Sequence, residues 1–193
     1  MITTTSHRIL VALALGAAMA LTRSHHFADL VHLPDASWAV FFLAGFYLAN
    51  GRVFATLLAL AACSDFVAIT FGGVSDFCVS LAYGFLLPAY GALFVAGRWY
   101  AARYRLTPAT LMPLLGSAFT GALICELLSS GSFYFFSGRF AETSLMVLGE
   151  RLARYFPGYL ESMALYLGIA VIAHTALVLV ANPATVQRMP KAP

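Results

Sequence analysis

The stretch Cys63-Ser-Asp-Phe-Val-Ala-Ile-Thr-Phe-Gly-Gly-Val-Ser-Asp-Phe-Cys-Val-Ser-Leu-Ala-Tyr83 sets one Gly-Gly turn between two long apolar runs. Flanks of that kind, each approaching the roughly 20 residues a bilayer requires, read as consecutive membrane-spanning helices. The same stretch gathers a carboxylate (Asp65), a thiol (Cys78) and a phenol (Tyr83) around the turn. A bilayer penalises at least the carboxylate, so a partner or a ligand must offset it.

Composition extends this to the whole chain. Of 193 residues, 61% are hydrophobic and only 10% charged, with a mean hydropathy of +0.85. Globular domains carry about 25% charged residues, so the expected class is an all-α integral membrane protein with no room for a second, soluble domain. The only lysine is Lys191, in the tail. That excludes a phosphate-binding loop of the Gly-rich Lys-Ser/Thr kind, hence an ATP site in this chain, and also a Schiff-base lysine within a span. Three cysteines, Cys63, Cys78 and Cys125, have no C-x-x-C spacing, and their odd count leaves at least one thiol unpaired.

Hydropathy and turn residues predict six spans, over about 6–22, 36–50, 52–70, 78–98, 108–130 and 159–181, within one domain covering 1–193. The first also resembles a secretion signal, through Arg8 and Ala18-Met19-Ala20, but it is read as a retained span. Asp35 is the expected N-cap of the second, and Pro88 the expected kink of the fourth. The polar connection Arg23–Asp35 holds His25, His26 and His32, whose spacing matches no metal-ligand pattern. Ser129–Arg139 reads as an aromatic loop, and 142–156 as a short amphipathic helix on the membrane surface that ends or kinks at Pro157-Gly158.

Charge sets the expected orientation. Arg8, Arg52, Arg98, Arg103, Arg105, Arg188 and Lys191 fall on one side with no acidic residue among them, which makes both termini cytoplasmic. The histidine connection, the Gly-Gly turn and the aromatic loop then share the external face. Asp65, Glu126 and Glu161 all fall in the outer half of their spans, as the walls of an outward-facing polar cup would. Cys78 is expected at a helix start, where backbone N–H groups favour a thiolate, a soft ligand for a metal. Arg151, on the surface helix, suits an anionic or amide-rich ligand.

The six-span layout and the set His26, Asp65, Cys78, Tyr83 and Arg151 resemble the BtuM family of cobalamin transporters, solitary relatives of the S components of energy-coupling-factor (ECF) transporters. The spacing Asp-x12-Cys-x4-Tyr carries that resemblance. It implies an S-component-like bundle in the cell inner membrane that takes up cobalamin (vitamin B12) from outside. It implies that Cys78 bonds the cobalt and, if cyanide is displaced from cyanocobalamin, acts as the catalytic group. His26, Asp65, Tyr83 and Arg151 would hold the periphery of the corrin, with Glu126 in the cup and Phe133 and Tyr134 of the aromatic loop covering its apolar face. The implied partners are cobalamin and the lipid bilayer, not nucleic acid. An ECF-type coupling module is compatible with the small residues Ala14 and Ala18, although the family is thought to work alone. Alternatives are an S component for another vitamin, which would not need Cys78, and a thiol-redox membrane oxidoreductase, which the missing C-x-x-C disfavours. A haem anchor is disfavoured because His174 lies at a different depth from His25 and His26.

Overall fold

A computed structural model of the protein describes residues 5–23 and 33–181; His26 lies outside them, as does the side chain of Cys78. Six α-helices form the described chain, with no strand among those residues: α1 (Thr5–Arg23), α2 (Ser37–Tyr47), α3 (Gly51–Phe71), α4 (Leu86–Ala101), α5 (Leu111–Phe136) and α6 (Leu145–Ala181). Short 3-10 turns at Asp76–Cys78 and Leu81–Phe85 join α3 to α4, and a third at Pro108–Thr110 leads into α5. Among the described residues, five segments are long and apolar enough to cross a membrane: Thr5–Arg23, Gly51–Phe71, Leu81–Ala101, Pro108–Phe136 and Leu145–Val180. The protein is therefore an all-helical membrane protein.

The second expected span, 36–50, is the exception. Its helix has 11 residues, about 16 Å at the usual rise, against a hydrocarbon core of about 30 Å. A helix apolar on every side belongs inside a bundle, and α2 is the core of this one, with Ser37, Ala39, Val40, Phe41, Phe42, Ala44 and Gly45 all buried. It packs most extensively on α4. The two backbones touch: a Cβ at Gly45 would strike the Phe94 carbonyl, and one at Gly97 would strike the Phe42 carbonyl. Small residues at a crossing allow this approach, and close packing takes over the role that hydrophobic burial plays in water. Rings fill the space beside the crossing, with Phe41 stacked on Tyr90 at 4.3 Å and Phe54 tilted on Phe94 at 5.3 Å.

Three boundaries differ from the sequence reading. The expected surface helix 142–156 and last span 159–181 are one continuous helix, α6, which runs through Pro157. Proline removes a single backbone bond while keeping a helical φ. Trp38 of α2 contacts the rings on both sides of it, Phe156 at 6.3 Å and Tyr159 at 5.0 Å, so the residues flanking the proline share one packing surface. The expected loop at 129–136 is the last part of α5. There the hydroxyls of Ser129 and Ser132 donate to the carbonyls of Cys125 and Ser129, so these polar side chains are satisfied within the helix. Finally, Cys78 does not start a helix. It closes the three-residue turn Asp76–Cys78 and is followed by extended Val79 and Ser80, so the helix-dipole argument for its thiolate falls away.

The turn chemistry itself follows the sequence. Gly73 takes φ 68°, a left-handed conformation that glycine adopts without strain. Its neighbours close the end of α3, with the N–H groups of Gly72 and Val74 both reaching the Ala68 carbonyl. The N-cap of α2 is Ala36 and not the expected Asp35, but the Asp35 carboxylate one residue earlier still accepts the Ser37 N–H at 2.9 Å and so satisfies a donor of the first turn.

Candidate functional site

At the end of the bundle where α1 and α3 finish and α2 and α4 begin, a single guanidinium organises the polar groups. Arg23, the last residue of α1, grips Asp65 of α3 with two bonds, Nε to Oδ1 at 2.6 Å and Nη2 to Oδ2 at 2.8 Å. Its Nη1 donates to Ser37 Oγ at 2.9 Å and to the Tyr90 hydroxyl at 2.8 Å. Ser37 Oγ in turn donates to Asp35 at 2.7 Å, and the Tyr83 hydroxyl donates to Asp65 Oδ2 at 2.7 Å. The network thus ties α1, α2, α3, the 81–85 turn and α4 together. Forked, charge-assisted pairing of this kind is the geometry in which arginine outperforms lysine. The Arg23 side chain is 9% exposed and that of Asp65 25%, so the carboxylate keeps one edge accessible while its charge is matched.

An aromatic chain lies at the same end. Phe77, the residue before Cys78, meets Phe133 at 5.6 Å; Phe133 meets Phe140 at 6.0 Å; and the Arg151 guanidinium sits 4.9 Å above the Phe140 ring. Arg139 lies over the other partner of this chain, 5.1 Å from the Phe77 centroid. One helical turn along α5 from Phe133, Phe136 stacks on Phe85 of the 81–85 turn at 5.6 Å. Phe133 of α5 and Arg139 of the following connection therefore meet the loop that carries Cys78 directly, and Phe140 and Arg151 lie further along the same chain. Around that loop Phe77, Val79 and Leu81 are exposed, Leu81 at 91%, and form an apolar rim.

Of the residues singled out by sequence, Asp65 and Tyr83 bond directly, and Arg151 and Phe133 join the aromatic chain. Tyr134 faces inward at 2% exposure and its hydroxyl accepts the Ser144 N–H at 3.0 Å, which makes it a brace for the start of α6. Glu126 is buried on α5 and accepts from Ser130 Oγ at 2.7 Å. Arg23, Ser37, Tyr90, Phe77 and Phe140 were not anticipated. Arg23 had a legible signal: an acid within a span calls for a cation at its own depth, and Arg23 is the basic residue at the matching end of the first span.

Among the described residues no three His, Cys, Asp or Glu side chains converge as a metal cage. A distinct cavity of about 320 Å³ lies at the opposite, arginine-rich end, between α2, α4, α5 and α6. His174 forms part of its wall, with Nδ1 3.1 Å from the Tyr47 hydroxyl and Nε2 3.0 Å from that of Tyr104. Both ring nitrogens therefore face tyrosine hydroxyls. No protein-family model and no curated protein matches the chain.

Proposed function

We propose that the protein takes up cobalamin across the cytoplasmic membrane as an S-component-like bundle in which the short α2, enclosed by the five long spans, makes the sixth crossing, so that both termini lie inside and the Arg23–Asp65 end faces out. The single observation that carries the reading is that the connection holding Cys78 is met from two sides, by Asp65 through Tyr83 and by Phe133 through Phe77, with Arg151 two rings further along the same aromatic chain. Asp65, Tyr83 and Arg151 belong to the set on which the resemblance rests, and they are separated by up to 86 positions, from Asp65 to Arg151. A flat macrocycle with an amide periphery suits the place. The exposed rim of Phe77, Val79 and Leu81 offers apolar contact, the accessible edge of Asp65 can accept amide hydrogens, and Arg151, held by the Phe140 ring, keeps its N–H edge for a phosphate.

The chemistry at the metal is ligand exchange. The Cys78 thiolate donates an electron pair to cobalt, cyanide leaves with its own pair, and the thiol proton accompanies it as hydrogen cyanide; cobalt keeps its oxidation state. Soft sulfur is a competent competitor for that axial position. The lipid bilayer holds the bundle, and transport without a dedicated ECF coupling module agrees with the family resembled.

The test is optical. Purified protein incubated with cyanocobalamin and passed through a sizing column is expected to emerge coloured, with a spectrum changed from that of the free vitamin. Cys78→Ser is expected to fold and to retain the unaltered cyanocobalamin spectrum. A colourless wild-type peak would refute cobalamin binding, and a changed spectrum in Cys78→Ser would refute cobalt–sulfur bonding.

A further inference from the structure

The cavity at the arginine-rich end has walls and a rim of opposite character. Its walls are Phe42, Phe46, Leu114, Leu167 and Val171 together with the rings of Tyr47, Tyr100 and Tyr104. The polar atoms on those rings are already committed. Tyr47 and Tyr104 flank His174 as described, and the Tyr100 hydroxyl lies 3.4 Å from Thr110 Oγ1. A ligand inside therefore meets hydrocarbon and aromatic faces. The charged donor of the lining is Arg105, whose exposed guanidinium has no hydrogen-bond or ion-pair partner among the described residues.

Position adds to this. Leu111 and Val171 line the mouth and are 47% and 36% exposed on membrane-spanning helices, whereas Arg105 and Thr107 belong to the connection between α4 and α5. The opening thus straddles the boundary between acyl chains and headgroups. Arg8, Arg52, Arg98 and Arg103 share this end, and no acidic residue accompanies them, so the field at the mouth favours an anion. At about 320 Å³ the space is at the small end of the roughly 300–1,000 Å³ range of small-molecule sites, too narrow for a corrin and suited to one slender chain.

We propose that this cleft is a specific site for an anionic phospholipid of the adjoining leaflet, one acyl chain inserted between Phe42, Phe46, Leu114 and Leu167 and its phosphate on Arg105. The proposal is independent of the cobalamin reading. It is tested with the purified, delipidated full chain in non-ionic detergent, offered phosphatidylglycerol and phosphatidylcholine of equal chain length and examined by native mass spectrometry. The wild type is expected to retain one phosphatidylglycerol in preference to phosphatidylcholine. Arg105→Gln is expected to reduce that retention about five- to tenfold, the factor for one basic residue near a headgroup. Ala170→Phe, which fills the cavity, is expected to abolish it, and Arg52→Gln, at the same end but off the cavity, to leave it unchanged.

Equal retention of the two lipids would overturn the proposal, as would equal effects of Arg52→Gln and Arg105→Gln, which would mean diffuse attraction. Preference for phosphatidylcholine would show the rings acting as a cage for quaternary ammonium and would also overturn it. Water-soluble glycerol phosphate is expected not to displace the lipid; displacement would indicate an anion site without a chain. Should Ala170→Phe fail to fold, the contrast between Arg105→Gln and Arg52→Gln still decides.

Discussion

Replacing Arg23 by methionine removes both bonds to Asp65 and those to Ser37 and Tyr90. Breaking one side of a buried ion pair costs about 3–5 kcal/mol, because the partner charge is left without compensation. Asp65 is 25% exposed and keeps Tyr83 as a donor, so water reaches the orphaned carboxylate and the loss in Arg23→Met falls at the lower end, about 3 kcal/mol. Asp65→Leu strands the guanidinium instead, at 9% exposure, and belongs at the upper end, about 5 kcal/mol. In the double variant no charge of the pair remains to be stranded, and its destabilisation is expected to be below that of either single change, which gives a coupling of at least about 5 kcal/mol. Sodium dodecyl sulfate unfolding in mixed micelles, followed by circular dichroism, measures all three. Losses that add to within about 0.5 kcal/mol would refute the pairing. The same proteins separate two roles for Asp65: the double variant recovers stability, yet on the cobalamin reading it does not recover cobalamin retention, because the carboxylate edge is gone.

Gly45→Ala and Gly97→Ala each drive a methyl into a backbone carbonyl of the facing helix. Each is expected to destabilise by about 3 kcal/mol, the upper part of the range for overpacking, since a carbonyl moves less readily than a side chain. Gly91→Ala, on α4 with nothing within 4 Å of the added carbon, serves as the neutral control in the same unfolding assay. Tyr83→Phe removes one bond to Asp65 and leaves the Arg23 pair intact. About 1 kcal/mol of stability should be lost, with weaker cobalamin retention by equilibrium dialysis; unchanged retention would remove Tyr83 from the site.

How far the sequence could be read depended on whether a feature is set locally or by a distant partner. Hydropathy alone marks the long spans, and the Gly72-Gly73 turn needs only glycine's freedom at φ 68°. Pro157 and the serines at 129–132 carry the same local signals as real breakers, but here helix continuity is decided by Trp38 from α2 and by hydroxyls bonding back along α5. Neither is visible in a window of neighbouring residues. Arg23 reads as part of a connection because it ends a run of apolar residues, whereas its depth is set by Asp65, 42 positions away.

Cys78 is the instructive case for the candidate site. Read as a helix start, it borrowed positive potential from backbone N–H groups; as the end of a three-residue turn it has none of that. Positive charge reaches the loop by a different route, through Arg139 over the Phe77 ring and Arg151 two rings further along the Phe133–Phe140 chain. On the cobalamin reading, a thiolate at this position depends on side chains 61 and 73 residues distant in sequence. Removing those charges should therefore weaken cobalt–sulfur bonding even with Cys78 in place: Arg139→Gln with Arg151→Gln is expected to shift the spectral change with cyanocobalamin to higher pH. An unchanged pH dependence would mean that the loop's own backbone favours the thiolate.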